Sequence, residues 1–152
     1  MKTKKSGFTL IEVLIVVAII GLLASIVLVG LGAFRGRGRD ARRIADIRET
    51  QNALELFYTK NNSYPNANSW SALETALTGA NIGVSKISQD PLGASRSYGY
   101  GPGPVVGPGP QSYALRAQLE DATNPALNDD VDGTVNGVDC SDTPSGFYCV
   151  QF

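Results

Sequence analysis

Two stretches of this chain carry residue types at spacings suited to chemistry. Asn128, Asp130, Asp132, Gly133, Thr134, Asn136 and Asp139 fall at positions 1, 3, 5, 6, 7, 9 and 12 of the calcium-loop template. Ca²⁺ takes six to eight hard oxygens, and clustered carboxylates repel one another without a cation. Gly133 permits the sharp turn and Thr134 would offer its carbonyl, while Asn128 replaces the usual first Asp and Asp139 the longer Glu. Pro125 and Pro144 argue against flanking helices, so the expectation is a lone calcium loop, with a solvated acidic turn as the alternative. Cys140 follows at once, and Cys149 lies close behind it, a pair that suits a disulfide in an oxidising compartment. At the other end Glu12 stands at the edge of a run without charge, Val13 to Phe34. An Asp at the centre of a membrane helix costs about 2.5–3.5 kcal/mol, and a Glu nearer the end somewhat less. A carboxylate kept there needs a partner. The chain has no histidine, which removes the commonest catalytic base and metal ligand. With no nucleophile elbow and no phosphate loop either, nothing supports an enzyme.

The elements that must position these groups begin with the apolar run. An α-helix rises about 1.5 Å per residue, so about 20 apolar residues cross the hydrocarbon layer. The run after Glu12 is that long, and it follows a basic leader, Met1-Lys2-Thr3-Lys4-Lys5-Ser6-Gly7. A secretory signal fits poorly, because the run is too long and Leu22-Leu23-Ala24 is a bulky cleavage site. A plain membrane anchor explains the length and leaves the leader unexplained.

Charge is segregated along the chain. It carries 13 Lys and Arg against 14 Asp and Glu, and three of the lysines sit in the leader. Arg35, Arg37, Arg39, Arg42, Arg43 and Arg48 crowd the exit of the run, whereas no Lys or Arg follows Arg116. Positive-inside counting alone would put the arginine side in the cytoplasm; the cysteine pair argues for the opposite orientation. Gly30, Gly32, Gly36 and Gly38 make a weak helical segment, since glycine costs about 1 kcal/mol relative to alanine in a helix interior. The arginines here are expected beside lipid phosphates in preference to nucleic acid, and Gly32 and Gly36 also fit a helix-packing face.

From Asp40 to Lys60 the pattern is amphipathic. Ile44, Ile47, Leu54, Phe57 and Tyr58 form one stripe, with Arg43, Asp46, Glu49, Gln51 and Glu55 mostly elsewhere. Asn61-Asn62-Ser63-Tyr64-Pro65 stops it. A short helix is expected over Ser71 to Leu77, with Ser71-Ala72-Leu73-Glu74 as a capping box. Asp90-Pro91-Leu92-Gly93 is a turn signal. The run Arg96 to Tyr100 and the alternating Tyr113, Leu115, Ala117, Leu119 read as a hairpin with a Pro/Gly tip between them. Gly146 to Phe152 reads as a final strand.

At Gly7-Phe8-Thr9-Leu10-Ile11-Glu12, with lysines ahead and the apolar run behind, the chain resembles type IV pilins and the major pseudopilins of type II secretion. The resemblance implies an α+β fold: a long N-terminal helix, half transmembrane and half amphipathic, packed on a small antiparallel sheet. The corresponding domains are a leader (1–7), a transmembrane or filament-core helix (8–34), an amphipathic half joined to the head (35–65) and a head (66–152). It implies cleavage after Gly7 by a prepilin peptidase and methylation of the new amine on Phe8. Glu12 would then pair with that amine on a neighbouring copy as helices bundle into a filament with other pilins. Cleavage makes a cation beside an anion, so the buried carboxylate gains a counter-ion only on association. The leader would face the cytoplasm and the head the outside, in the cytoplasmic membrane before assembly and in a periplasmic or extracellular filament afterwards. The Asp-Pro-x-Gly turn before a tyrosine strand, a calcium ion in the C-terminal loop and a C-terminal disulfide also resemble this family. The usual helix proline is Val29 here, so any softness must come from the glycines. A surface pilus, a secretion pseudopilus and a DNA-uptake fibre share this front end. The alternative of another class is a monomeric membrane-anchored extracellular calcium-binding module.

Overall fold

The computed structural model describes residues 7–152, the side chains of 27–31, 33 and 94 apart. The leader other than Gly7 lies outside the described residues. Contacts divide the chain into two compact units, Met1–Arg35 and Gly36–Phe152. A helix, α1 (Leu10–Asn61), contributes to both.

In the first unit α1 is apolar on every side, and every described side chain from Phe8 to Ile26 is exposed. Among the described residues, no helix is long and apolar enough to cross a membrane. The uncharged sequence, and the helix with it, runs on to Phe34. The four glycines do not interrupt α1, since neighbouring turns supply the hydrogen bonds that glycine weakens only entropically.

The second unit is an α+β head. Ile47 and Leu54 of α1 are completely buried, and Ile44, Phe57 and Tyr58 pack beside them. Each fully buried side chain of this kind contributes about 1.5–3 kcal/mol. The stripe is therefore the face expected from the spacing, with one correction. Arg43 and Asp46 are buried too, because each finds a partner inside the head. Helix α2 (Trp70–Gly79) buries Trp70, Leu73 and Leu77. Its cap is Ser69, whose hydroxyl accepts from the Ala72 amide. The capping box expected at Ser71 is not formed: the helix starts earlier so that Trp70 can enter the core, and Glu74 accepts from Gln89 instead.

The sheet is antiparallel, with β4 (Tyr113–Gln118) between β1 (Gly99–Pro102) and β7 (Phe147–Gln151). β1 pairs with β4 in register Tyr100 to Leu115. β7 pairs with β4 in register Cys149 to Arg116. The tip of the first hairpin holds a smaller ladder, β2 (Val105–Val106) against β3 (Gly109–Pro110). A third ladder, β5 (Thr134–Val135) with β6 (Val138–Asp139), turns through Asn136 and Gly137, both at positive φ. That is the two-residue Asn-Gly hairpin turn, whose backbone twist matches the strands it joins.

Candidate functional site: the α1 N-terminus and the acidic C-terminal loop

Gly7 and Phe8 precede α1 outside any helix or strand, and Phe8 is 87% exposed. Thr9 caps the helix. Its amide and hydroxyl both donate to Glu12 Oε2, at 2.8 and 2.7 Å, and its hydroxyl accepts from the Glu12 amide at 3.3 Å. This is a reciprocal capping box, Thr9-x-x-Glu12. The pattern was present in the sequence and was eclipsed there by the membrane argument. Both hydrogen bonds engage one carboxylate oxygen, so Oε1 is left for another donor. The bond between Gly7 and Phe8 lies beside this box, in chain that no helix protects.

Near the C-terminus the twelve-residue calcium template does not form one loop. Asn128 ends a short 3₁₀ turn (Pro125–Leu127), Thr134 and Asp139 are paired across β5 and β6, and Asn136 sits at the tip between them. The Asp139 carboxylate accepts from the Ser141 amide and hydroxyl, at 3.1 and 2.7 Å. Among the described residues no group of three His, Cys, Asp or Glu side chains converges tightly enough to hold a metal as it stands.

A different acidic set does come together. Asp130 Oδ2 accepts from the Cys149 amide at 2.6 Å. Asp130 Oδ1 and Asp142 Oδ1 are buried without a hydrogen-bond partner among the described residues. Burial, with Asp142 and Asp132 as like-charged neighbours, pushes the Asp130 carboxyl up to about 6. Burial and then Asp132 raise Asp142 as well. Asp142, outside the template, is the residue that sequence spacing missed. The Cys140–Cys149 disulfide is present, with Cα atoms 5.7 Å apart, and both cysteines are buried. Closing a ring of about ten residues contributes roughly 2–3 kcal/mol in the chain-entropy model.

Of the arginines that crowd the exit of the run, Arg39 and Arg43 are engaged within the head. Arg43 is fully buried; its Nε and Nη2 donate to Asp90, and its Nη1 donates to Asp40 and Glu120 at 2.7 and 2.8 Å. Arg39 donates to both Glu120 oxygens. Asp40 in turn accepts from the Glu120 and Asp121 amides. The hydrogen bond from Arg39, reinforced by Arg43, holds the Glu120 carboxyl down at about 2. Burial alone would raise Asp90, but the Arg43 hydrogen bond and the Leu92 amide keep it below the ordinary range. Asp90, expected only as a turn former, is therefore also a charge partner.

A family model described as the prokaryotic N-terminal methylation motif matches residues 2–28. The chain is 39% identical over 64 residues to a type II secretion system core protein G of Aeromonas hydrophila, covering 42% of this chain and 45% of that one. It is 37% identical over 65 residues to core protein G of Escherichia coli, covering 43% and 45%. A third relative, the type IV wide pilus major component of Thermus thermophilus, is 39% identical over 83 residues, covering 54% and 63%. The chain spans about half the length of the curated relatives it matches first. No solved structure matches it. Over about half its length it is thus similar to type II secretion core proteins and to a type IV pilus component, and its first residues match the N-terminal methylation motif.

Proposed function

We propose that this chain is a structural subunit of a type IV pilus-like filament. The observation that carries the reading is the first part of α1: apolar around its circumference from Val13 to Ile26 apart from Ser25, exposed, and charged only at the capped Glu12. Such a surface is stable only in lipid or against other apolar helices. In this reading a prepilin peptidase cuts after Gly7, the Phe8 amine is methylated, and the subunit waits in the cytoplasmic membrane with its head outside. The freed cation of one copy then meets Glu12 of the next, and the helices bundle with those of other pilins. The matches to core protein G favour a second reading, a type II secretion pseudopilus, which differs in ending in the periplasm.

The test is mass spectrometry of the purified protein together with a Glu12→Gln variant. A mature terminus at Phe8 with one added methyl group, and loss of sheared filaments in the variant, are expected. An intact Met1, or normal filament yield from Glu12→Gln, overturns the reading.

The same proposal includes Ca²⁺ at the acidic loop, with Asp130 of the template and Asp142 beside it as the carboxylates that would hold it. The orphaned Asp130 and Asp142 oxygens and their mutual repulsion support it, since a hard dication relieves both. Bound there, it would fasten the acidic loop to β7 through Asp130. Calcium is expected to raise the thermal midpoint of the wild type and leave Asp142→Asn little changed. An equal response from both removes the site.

A further inference from the structure

The exit of the apolar run carries exposed cations that the reading above does not use. Arg35, Arg37 and Arg42 stand one, three and eight positions beyond Phe34, the last residue of the uncharged run. All three lie on α1, so at about 1.5 Å per residue they fall within about 12 Å of helix. Arginine side chains on a helix lean toward its N-terminus, here back toward the apolar run. Arg35 is exposed and in no ion pair among the described residues. Arg37 and Arg42 have side chains 69% and 64% exposed, and they reach Asp121 and Asp46 only at 3.7 and 3.9 Å. Their neighbours Arg39 and Arg43 turn inward and are spent on Asp40, Asp90 and Glu120. The acids of the stretch do not cancel the three that remain. Asp40 and Asp46 are buried, Glu120 is bound by Arg39 and Arg43, and Asp121 alone faces Arg37. The next exposed acid on α1, Glu49, comes fifteen positions after Phe34, about 22 Å of helix.

We propose that Arg35, Arg37 and Arg42 each hold the phosphate of an anionic phospholipid while the subunit waits in the membrane, so that the head stands on the leaflet it faces. A guanidinium suits that partner: it is planar, permanently charged and less strongly hydrated than an ammonium, and it grips a phosphate through two parallel hydrogen bonds. Lipid is favoured over nucleic acid because the cations directly follow an apolar run, and a run held in a bilayer already delivers them to a surface of phosphates. Counting positive charges expects few arginines on that side of the membrane; lipid phosphates supply their counter-ions there. The inference rests on the membrane stage of the filament reading and adds to it what holds the waiting head. Those contacts are given up when the subunit leaves the bilayer.

The test uses the full chain reconstituted in phosphatidylcholine vesicles that contain phosphatidylglycerol. The readout is the preference of spin-labelled phosphatidylglycerol over spin-labelled phosphatidylcholine for the lipid shell of the protein, measured by electron spin resonance. A lipid beside one arginine gains about fivefold, and averaging with unbound neighbours brings the expected preference to roughly two- to threefold. It should fall to about one in the triple variant Arg35→Gln, Arg37→Gln, Arg42→Gln, and in the wild type at about 1 M salt, where the Debye length is near 3 Å. Replacing the same three by lysine should keep most of it, because the charge remains, and Arg48→Gln, farther along α1, should leave it unchanged. All four positions are exposed, and circular dichroism of the purified variants checks the fold. A wild-type preference near one, an undiminished preference in the glutamine variant, or an equal loss from Arg48→Gln overturns the lipid contact and leaves the filament reading standing. A wild-type chain that alkaline carbonate strips from the vesicles overturns both. Loss of the preference on adding inorganic phosphate at constant ionic strength reassigns the arginines to free phosphate. Duplex DNA bound by the wild type and lost in the glutamine variant, with lipid preference equal in the two, reassigns them to nucleic acid; either result overturns the lipid partner.

Discussion

Arg43 is the residue with most at stake, because removing it leaves Asp90 without its cation and takes a charged donor from Asp40 and Glu120. Breaking a buried pair by deleting one partner costs about 3–5 kcal/mol. Arg43→Met is therefore expected to lower head stability by about that amount, read from the urea midpoint at neutral pH. The pH dependence follows from the directions at Glu120 and Asp90, both held below their unfolded values. A depressed carboxylate stabilises fully above its unfolded pKa, about 4, and that contribution is lost as pH falls toward 2. The wild type should lose stability steeply in that window, and Arg43→Met should flatten the slope. None of this was legible locally. The Arg43 partners Asp90 and Glu120 lie 47 and 77 positions away, and counting apolar stripes assigns every charge to the outside. At the opposite extreme, Glu12 was legible as a lone acid in an apolar run, and its partner Thr9 sits three residues away.

At the scale of elements, periodicity did well where one face is buried. The α1 stripe, the hairpin of β1 and β4, and β7 all follow from alternation and turn residues. It was ambiguous where two signals overlapped. Val135-Asn136-Gly137-Val138 carries the strongest short hairpin signal in the chain, yet the oxygen spacing of the calcium template covers the same residues. The Asn-Gly hairpin forms because a two-residue turn satisfies its own backbone. The resulting hairpin lies over β1, where Gly101 leaves it no room to spare. A Cβ at Gly101 would run into the Asn136 carbonyl and a Val138 methyl. Gly101→Ala should therefore destabilise by about 1–3 kcal/mol and speed amide exchange in β5 and β6. Gly79→Ala, with open space around it, should be neutral or slightly stabilising. Equal effects at the two sites would show that the close approach does not matter.

At the scale of the whole molecule, the fold class was readable because composition changes so abruptly along the chain. An apolar rod, an amphipathic stretch and a Tyr/Gly/Pro-rich sheet each impose their own period. What composition could not show was that the arginine-rich exit of the rod is part of the head. The sum of charges at that point is small once Asp40, Asp90 and Glu120 are counted with it. The clasp formed there also has a mechanical meaning. Tension drawn along the second half of α1 enters the head through Asp40 and Arg43 and passes to the chain at Asp90 and Glu120. Salt bridges of this length yield over a fraction of an ångström, whereas greasy surfaces slide. The joint should therefore behave as a stiff rivet under load, holding rigid up to a threshold and then giving way all at once.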